Sequence, residues 1–329
     1  MLKKRILSVL IVVLTLSLSA GLASARDAES RFSVGVLQLV EHASLDAAYE
    51  GFVAGLAKAG FVVDENLTID FQNAQADQSN MVTISERFVK NKVDLILAIA
   101  TPAAQAVAAA TTEIPIVFTA VTDPVEARLV ETLEAPGTNI TGVSDAGPID
   151  EQIELIAALV PKAKTIGILY NSSEVNSEIQ AKQAEAAARR IGLEVKFGTV
   201  ASVNDIEQVL TSISDDVEAI YLPTDNTFAS AMANVAKVTE AKKLPVVAGA
   251  QSMVEEGGLA TIGLDYYKLG LQTGAMAAKI LNGESEPATT PVETLQDTDL
   301  MINFDTAKAI GYTFPPEILA EATIRIGKE

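Results

Sequence analysis

The strongest constraint on the fold is that the chain repeats its own plan. GVLQLVEHASLDAAYEGFVAGLAKAGF, starting at Gly35, lines up with GILYNSSEVNSEIQAKQAEAAARRIGL, starting at Gly167. VDLILAIATPAAQAVAAATTEIPIVFTA, from Val93, lines up with VEAIYLPTDNTFASAMANVAKVTEAKKLPVVAG, from Val217. The offset of about 125–135 residues is far longer than any solenoid repeat, so it marks two similar domains. In the first half, short apolar runs at 33–40, 67–72, 93–99 and 114–120 read as strands. Helical patterns separate them at Leu45 to Lys58, Met81 to Lys90 and Ala103 to Ala110. In the second half the strand patterns fall at 165–170, 193–200, 217–223 and 244–249. The helices between them cover Ser177 to Arg190, Ile206 to Ile213 and a stretch ending near Lys242. Gly60 and Gly192 follow the first helix of each half, as C-terminal caps do.

Strands that are apolar on both faces and alternate with helices require parallel sheets covered on each side. The expected fold is α/β, with two similar Rossmann-like lobes. Right-handed crossovers bring the loops after each strand to one edge of each sheet. In such sheets ligands bind beyond the carboxyl ends of the strands. The strand-end loops are Gln38 to Ser44, Ala100 to Gln105, Thr119 to Pro124, Tyr170 to Asn176, Pro223 to Thr227 and Gly249 to Ser252. All are short and polar, and two such sets facing each other would enclose a small polar ligand.

The N-terminus reads as an export signal over residues 1–25: Lys3, Lys4 and Arg5, then an apolar run from Ile6 to about Leu18, then Ala23-Ser24-Ala25. The run is shorter than the ~20 residues a spanning helix needs. Cleavage would take the formal charge from −19 to about −22. An acidic surface of this size repels nucleic acid and anionic lipid. The absence of Cys excludes both disulfide stapling and a lipid-modified cysteine. The expected product is a soluble, periplasmic monomer of about 304 residues, enough for two domain cores.

Candidate ligand contacts follow from the strand-end loops. Thr101, at a strand-to-helix junction before Pro102, would bind a carboxylate with the free N–H groups there, or simply cap the helix. Thr119, Thr122 and Asp123 in TAVTDP have the same two readings. Asp145, Glu174 and Asp225 are the candidates to pair with an ammonium group, against a helix-capping role. Ser144 and Asp145 also suit a hinge. Asn171, Asn176 and Asn226 both donate and accept, which suits a zwitterion, though asparagine is equally a turn residue. Tyr170 is the best placed of the rings available for stacking, which also include Tyr49, Phe118, Tyr221, Phe228, Tyr266 and Tyr267. His42 is the sole histidine and reads as a surface or hydrogen-bonding group; with no Cys it leaves no zinc site. No nucleophile elbow, P-loop or G-x-G-x-x-G is present, so neither an enzyme nor a cofactor is expected.

At these loops the chain resembles the periplasmic binding proteins of ABC importers, in the group that includes tryptophan- and tyrosine-binding proteins. The matching strings are VEHASLDAAYEGF (40–52), ATPAAQA (100–106), TAVTDPV (119–125), NITGVSD (139–145), YNSSEVNS (170–177), LPTDN (222–226) and GGLATIGLDYYKLGLQTG (257–274). The resemblance implies a type I binding-protein fold whose lobes hinge about three crossings, near residues 145, 264 and 292. On that basis the N-terminal lobe takes 26–145 and about 265–292, and the C-terminal lobe about 146–264 and 293–329. It further implies an amino acid ligand, aromatic in this group, and an ABC permease as partner. Ala250 departs from the family pattern, where an acidic residue is expected after Ala-Gly at 248–249. Glu41, in the first loop, and Asp265, after the second crossing, complete the candidate set. A sensing module of the same fold, or capture of a purine, short peptide or sugar, remains open at this point.

Overall fold

The computed structural model describes residues 31–328. The export signal read over residues 1–25 lies outside the described residues. Lobe 1 begins with β1 (Phe32–Gln38), α1 (Ala43–Lys58), β2 (Leu67–Asn73), α2 (Gln78–Asn91) and β3 (Leu95–Ile99). It continues with α3 (Thr101–Ala110), β4 (Ile116–Thr119) and β5 (Ile140–Ser144). The chain then crosses into lobe 2: α4 (Ile149–Leu159), β6 (Thr165–Asn171), α5 (Val175–Arg190), β7 (Glu194–Val200), α6 (Ile206–Ile213) and β8 (Ala219–Leu222). A single turn α7 (Asn226–Ala229), α8 (Met232–Lys242), β9 (Val246–Ala248), α9 (Gln251–Glu255) and β10 (Ala260–Leu264) follow.

A second crossing returns it to lobe 1 for α10 (Tyr266–Leu281) and β11 (Glu293–Thr294). The last elements, β12 (Thr298–Asn303), α11 (Phe304–Ile310), α12 (Pro316–Glu321) and β13 (Ile324–Ile326), belong to lobe 2. The strand orders are β11-β5-β4-β3-β1-β2 and β13-β12-β10-β9-β8-β6-β7. All pairs are parallel except β10 with β12. Because β11 pairs with β5, the chain passes from the first sheet to the second between Thr294 and Thr298.

Local chemistry explains the elements that frame the cleft. β3 is buried along its whole length (LILAI), as a central parallel strand must be. The edge strand β2 is buried only in part. Asp77 caps α2 by accepting from the Asn80 N–H at 2.9 Å, and Lys92 ends it in a left-handed turn. In α1, Gly51 and Gly55 lie against Gly270 and Gly274 of α10. A Cβ at Gly270 would sit 2.0 Å from the Ala48 carbonyl oxygen, and one at Gly51 2.1 Å from that of Tyr267. The two helices therefore meet backbone to backbone, which fixes where α10 enters lobe 1.

Candidate functional site

The strand ends of both lobes converge on one cavity. Its walls comprise His42, Ser44 and Leu45 after β1, Ala120 and Thr122 after β4, and Asp145 and Tyr266 at the first two crossings. From lobe 2 come Asn176, Thr224, Asp225, Asn226, Ala229, Ala250 and Met253. The space they enclose is small and lies between the two lobes. Two side-chain contacts bridge the lobes directly beside it: Ser44 Oγ to Ser252 Oγ at 2.6 Å, and His42 Nε2 to Asn226 Oδ1 at 3.3 Å. A third joins Gln180 Nε2 to Thr122 Oγ1 at 3.2 Å, while the same residue also hydrogen-bonds the Thr224 hydroxyl and N–H. The lobes are thus closed on each other.

The electrostatics of the cavity are one-sided. Asp145 is fully enclosed; its Oδ2 accepts from the Tyr266 hydroxyl at 2.7 Å. Burial pushes its carboxyl above the usual range, although Tyr266 and the nearby Thr122 hydroxyl favour the charged form. Oδ1 has no well-formed hydrogen bond, and neither have Asn176 Oδ1 and His42 Nδ1. Burial also raises the Tyr266 phenol, with the Asp145 charge adding to the effect. Burial lowers the His42 imidazole against the smaller, opposing influences of Asn226 and Asp46, which keeps the ring neutral. Among the described residues, none of those lining the cavity is Lys or Arg.

Behind this wall Glu174 and Asp225 anchor a buried network. Glu174 Oε1 accepts from Thr227 Oγ1 at 3.0 Å and from Asn171 Nδ2 at 3.4 Å, and Oε2 accepts from Asn226 Nδ2 at 2.5 Å. Asp225 accepts from the Asn171 N–H at 2.6 Å and caps α7 through the Phe228 N–H at 2.9 Å. Burial first, and the neighbouring Glu174 second, push the Asp225 carboxyl well above the usual range. On the lobe 1 side Ala120, which lines the cavity, is held at φ 55°, and Ala100, next to Thr101 at the start of α3, at φ 82°. Such strain clusters where a fold holds a site in place.

Of the residues singled out from sequence as ligand contacts, Thr122, Asp145, Asn176, Asp225, Asn226 and Ala250 line the cavity. Asn171 and Glu174 stand behind it and brace Asn226 and Asp225. Ser144 is at the first crossing, donating to the Thr122 carbonyl at 2.9 Å and accepting from the Ala146 N–H at 3.1 Å. Thr119 is in the interior, bonded to Thr273 Oγ1 at 3.1 Å. Thr101 is buried at the start of α3 with its hydroxyl unpartnered. The remaining four lie off the cavity wall. Glu41 faces solvent, because the backbone after β1 turns His42 inward in its place. Asp123 makes a turn, accepting from the Glu126 N–H at 3.0 Å. Asp265 caps α10 through the Lys268 N–H at 3.1 Å. The Tyr170 ring packs edge-on against Phe197 at 5.9 Å.

Two doubly wound sheets, three crossings and a polar cavity between opposed strand ends define a two-lobed solute-binding protein of the type I class. The chain belongs to the family of ABC transporter substrate binding proteins, which it matches over residues 33–326. It is 44% identical over 284 residues to the tyrosine-binding protein of Clostridioides difficile strain R20291, covering 86% of this chain and 82% of that protein. It is 44% identical, with a TM-score of 0.87, to a Streptococcus pneumoniae ABC domain solved in complex with L-Trp, over 90% of this chain and 100% of that one. Against the ligand-free, open structure of a Clostridium difficile substrate binding protein with adhesive properties the TM-score is 0.69, at 45% identity over 91% and 100%. At equal identity, the lobe arrangement here is that of the L-Trp complex rather than the open form.

Proposed function

We propose that the protein captures an amino acid with an aromatic side chain and delivers it, as a soluble periplasmic monomer freed of its signal segment, to an ABC permease. The observation that carries the reading is the cavity wall: unpartnered acceptors on Asp145 and Asn176 and no basic side chain among its residues. A buried carboxylate of this kind is satisfied by a ligand cation. Asp145 takes the α-ammonium, Asn176, Asp225 and Asn226 line its surroundings, and Thr122 and Thr224 offer donors to the carboxylate. Ala250 leaves room that an acidic residue would fill. The tyrosine and L-Trp named for the two relatives support an aromatic side chain. Closure excludes water, which strengthens the charge-assisted bonds.

The test is thermal unfolding of mature protein, refolded to strip carried-over ligand, against the twenty amino acids, sugars, nucleosides and short peptides. A ligand that binds only the folded state raises the midpoint by mass action. Tyrosine or tryptophan is expected to give the largest rise. A rise confined to a sugar or nucleoside would refute the amino-acid assignment.

A further inference from the structure

His42 is the one lining residue whose hydrogen-bonding state is dictated by a chain of neighbours. Glu174 is a carboxylate already holding Thr227 and Asn171 as donors, so it meets Asn226 through that residue's Nδ2 at 2.5 Å. The amide of Asn226 is thereby oriented: its Oδ1, an acceptor, is the atom 3.3 Å from His42 Nε2. The proton of the neutral ring must then sit on Nε2. That leaves Nδ1 with a bare lone pair, shielded from solvent, on a ring that lines the cavity and without a protein partner. A buried acceptor left unpartnered costs free energy unless the ligand meets it. His42 stands on lobe 1 and Asn226 on lobe 2, so the tautomer is set by closure itself.

We propose that His42 is a ligand-recognition residue whose Nδ1 accepts a hydrogen bond from an N–H or O–H of the captured molecule, with Glu174 and Asn226 as positioning residues that fix its tautomer. Only the identity of the donor rests on the amino-acid reading above. The lining then discriminates against any ligand that brings no donor to this point, since the lone pair would stay buried and unmet. Glu174, which touches no cavity, gains a role in affinity through two intermediaries.

The chain has a single histidine, so ¹⁵N-labelled protein shows one imidazole. Two-bond ¹H–¹⁵N spectra should place the proton on Nε2 in protein saturated with tyrosine or tryptophan, with the Nδ1 resonance moving on binding. A proton on Nδ1, or an Nδ1 resonance that stays still during saturable binding, overturns the inference. Substitution separates recognition from lobe bridging. Asparagine carries its amide near the place of Nδ1, and glutamine near that of Nε2. H42N should stay within about threefold of the parent affinity, and H42Q should lose about tenfold, the equivalent of one hydrogen bond. The reverse ranking would make His42 a bridge to Asn226 only. E174Q, which frees Asn226 to turn, should weaken binding about tenfold and move the proton off Nε2; an unchanged tautomer overturns the relay. If neither amino acid raises the unfolding midpoint, the amino-acid reading fails separately. The tautomer is then read in a closed form locked by S44C and S252C, where Nε2–H sustains the inference for another ligand class and Nδ1–H overturns it.

Discussion

Replacing Asp145 by asparagine pulls the two consequences of its burial in opposite directions. The shape is conserved, and the Tyr266 hydroxyl keeps an acceptor at the Oδ2 position, where it now bonds at 2.7 Å. The amide NH₂ then takes the place of Oδ1 and points two donors where an ammonium would bring three more. Removing one partner of a desolvated charge pair costs about 2–5 kcal/mol, so affinity should fall by about 30-fold to several thousand-fold. The ligand-free protein gains instead, because an uncompensated buried charge is gone. Opening of the lobes lets water reach the carboxylate, which limits the gain to about 1 kcal/mol, or a midpoint roughly 2–4 °C higher. The gain depends on pH in a defined direction. A carboxyl whose folded pKa is raised above its unfolded value costs the folded state nothing below the unfolded pKa; its cost grows as pH rises from the unfolded pKa to the folded one and is complete above it. The advantage of D145N should therefore be absent below about pH 4 and grow as the pH rises above it. Calorimetry for binding, with unfolding scans of ligand-free protein across pH, reads both. Affinity retained within about fivefold, or a D145N midpoint below the parent at pH 7, would refute the reasoning.

Other perturbations follow from the same geometry. G270A would ordinarily add up to about 1 kcal/mol of helix propensity, but its Cβ would lie 2.0 Å from the Ala48 carbonyl oxygen. A net loss of about 2 kcal/mol, or roughly 4–8 °C in unfolding midpoint, is expected; a variant as stable as the parent would show that α10 does not pack backbone to backbone on α1. The double variant S44C/S252C replaces hydroxyls 2.6 Å apart, so the sulfurs need approach by only about 0.5 Å to bond. In a chain without other cysteines, oxidation should trap bound tyrosine or tryptophan and reduction release it. Equal dissociation rates in the two redox states would mean the clasp does not hold the lobes.

The parallel cores were legible because β1, β3, β6 and β8 carry apolar side chains with few interruptions, a pattern only strands covered on both faces tolerate. β5 escaped the periodicity because ITGVS mixes a glycine and two hydroxyls into five buried positions, and its glycine lies under Phe118. The antiparallel pairing of β12 with β10 came from a partner about 40 residues away in sequence. The same distinction applies to the cavity. Asn176, Asp225 and Asn226 sit in strand-end loops, where topology alone sends ligand contacts, whereas Asp145 stood out through the resemblance and the expected first crossing. Tyr266 opens a helix and is buried, so it reads as core; only the second crossing brings its hydroxyl onto Asp145, 121 residues earlier. His42 was passed over as a loop residue because its significance depends on an amide 184 positions away. The inward turn that favours His42 over Glu41 leaves no mark in the composition of the loop.

The interleaving of the two sheets governs the order in which the molecule can come into being. Lobe 1 lacks α10 and the edge strand β11 until residue 294 is available, and lobe 2 lacks β12 and β13 until residue 326. A chain lengthening from its N-terminus therefore has no finished lobe for most of its synthesis. Until then β4 and β5 lack the cover that α10 gives them. The last elements of both lobes are thus supplied by the final stretch of polypeptide.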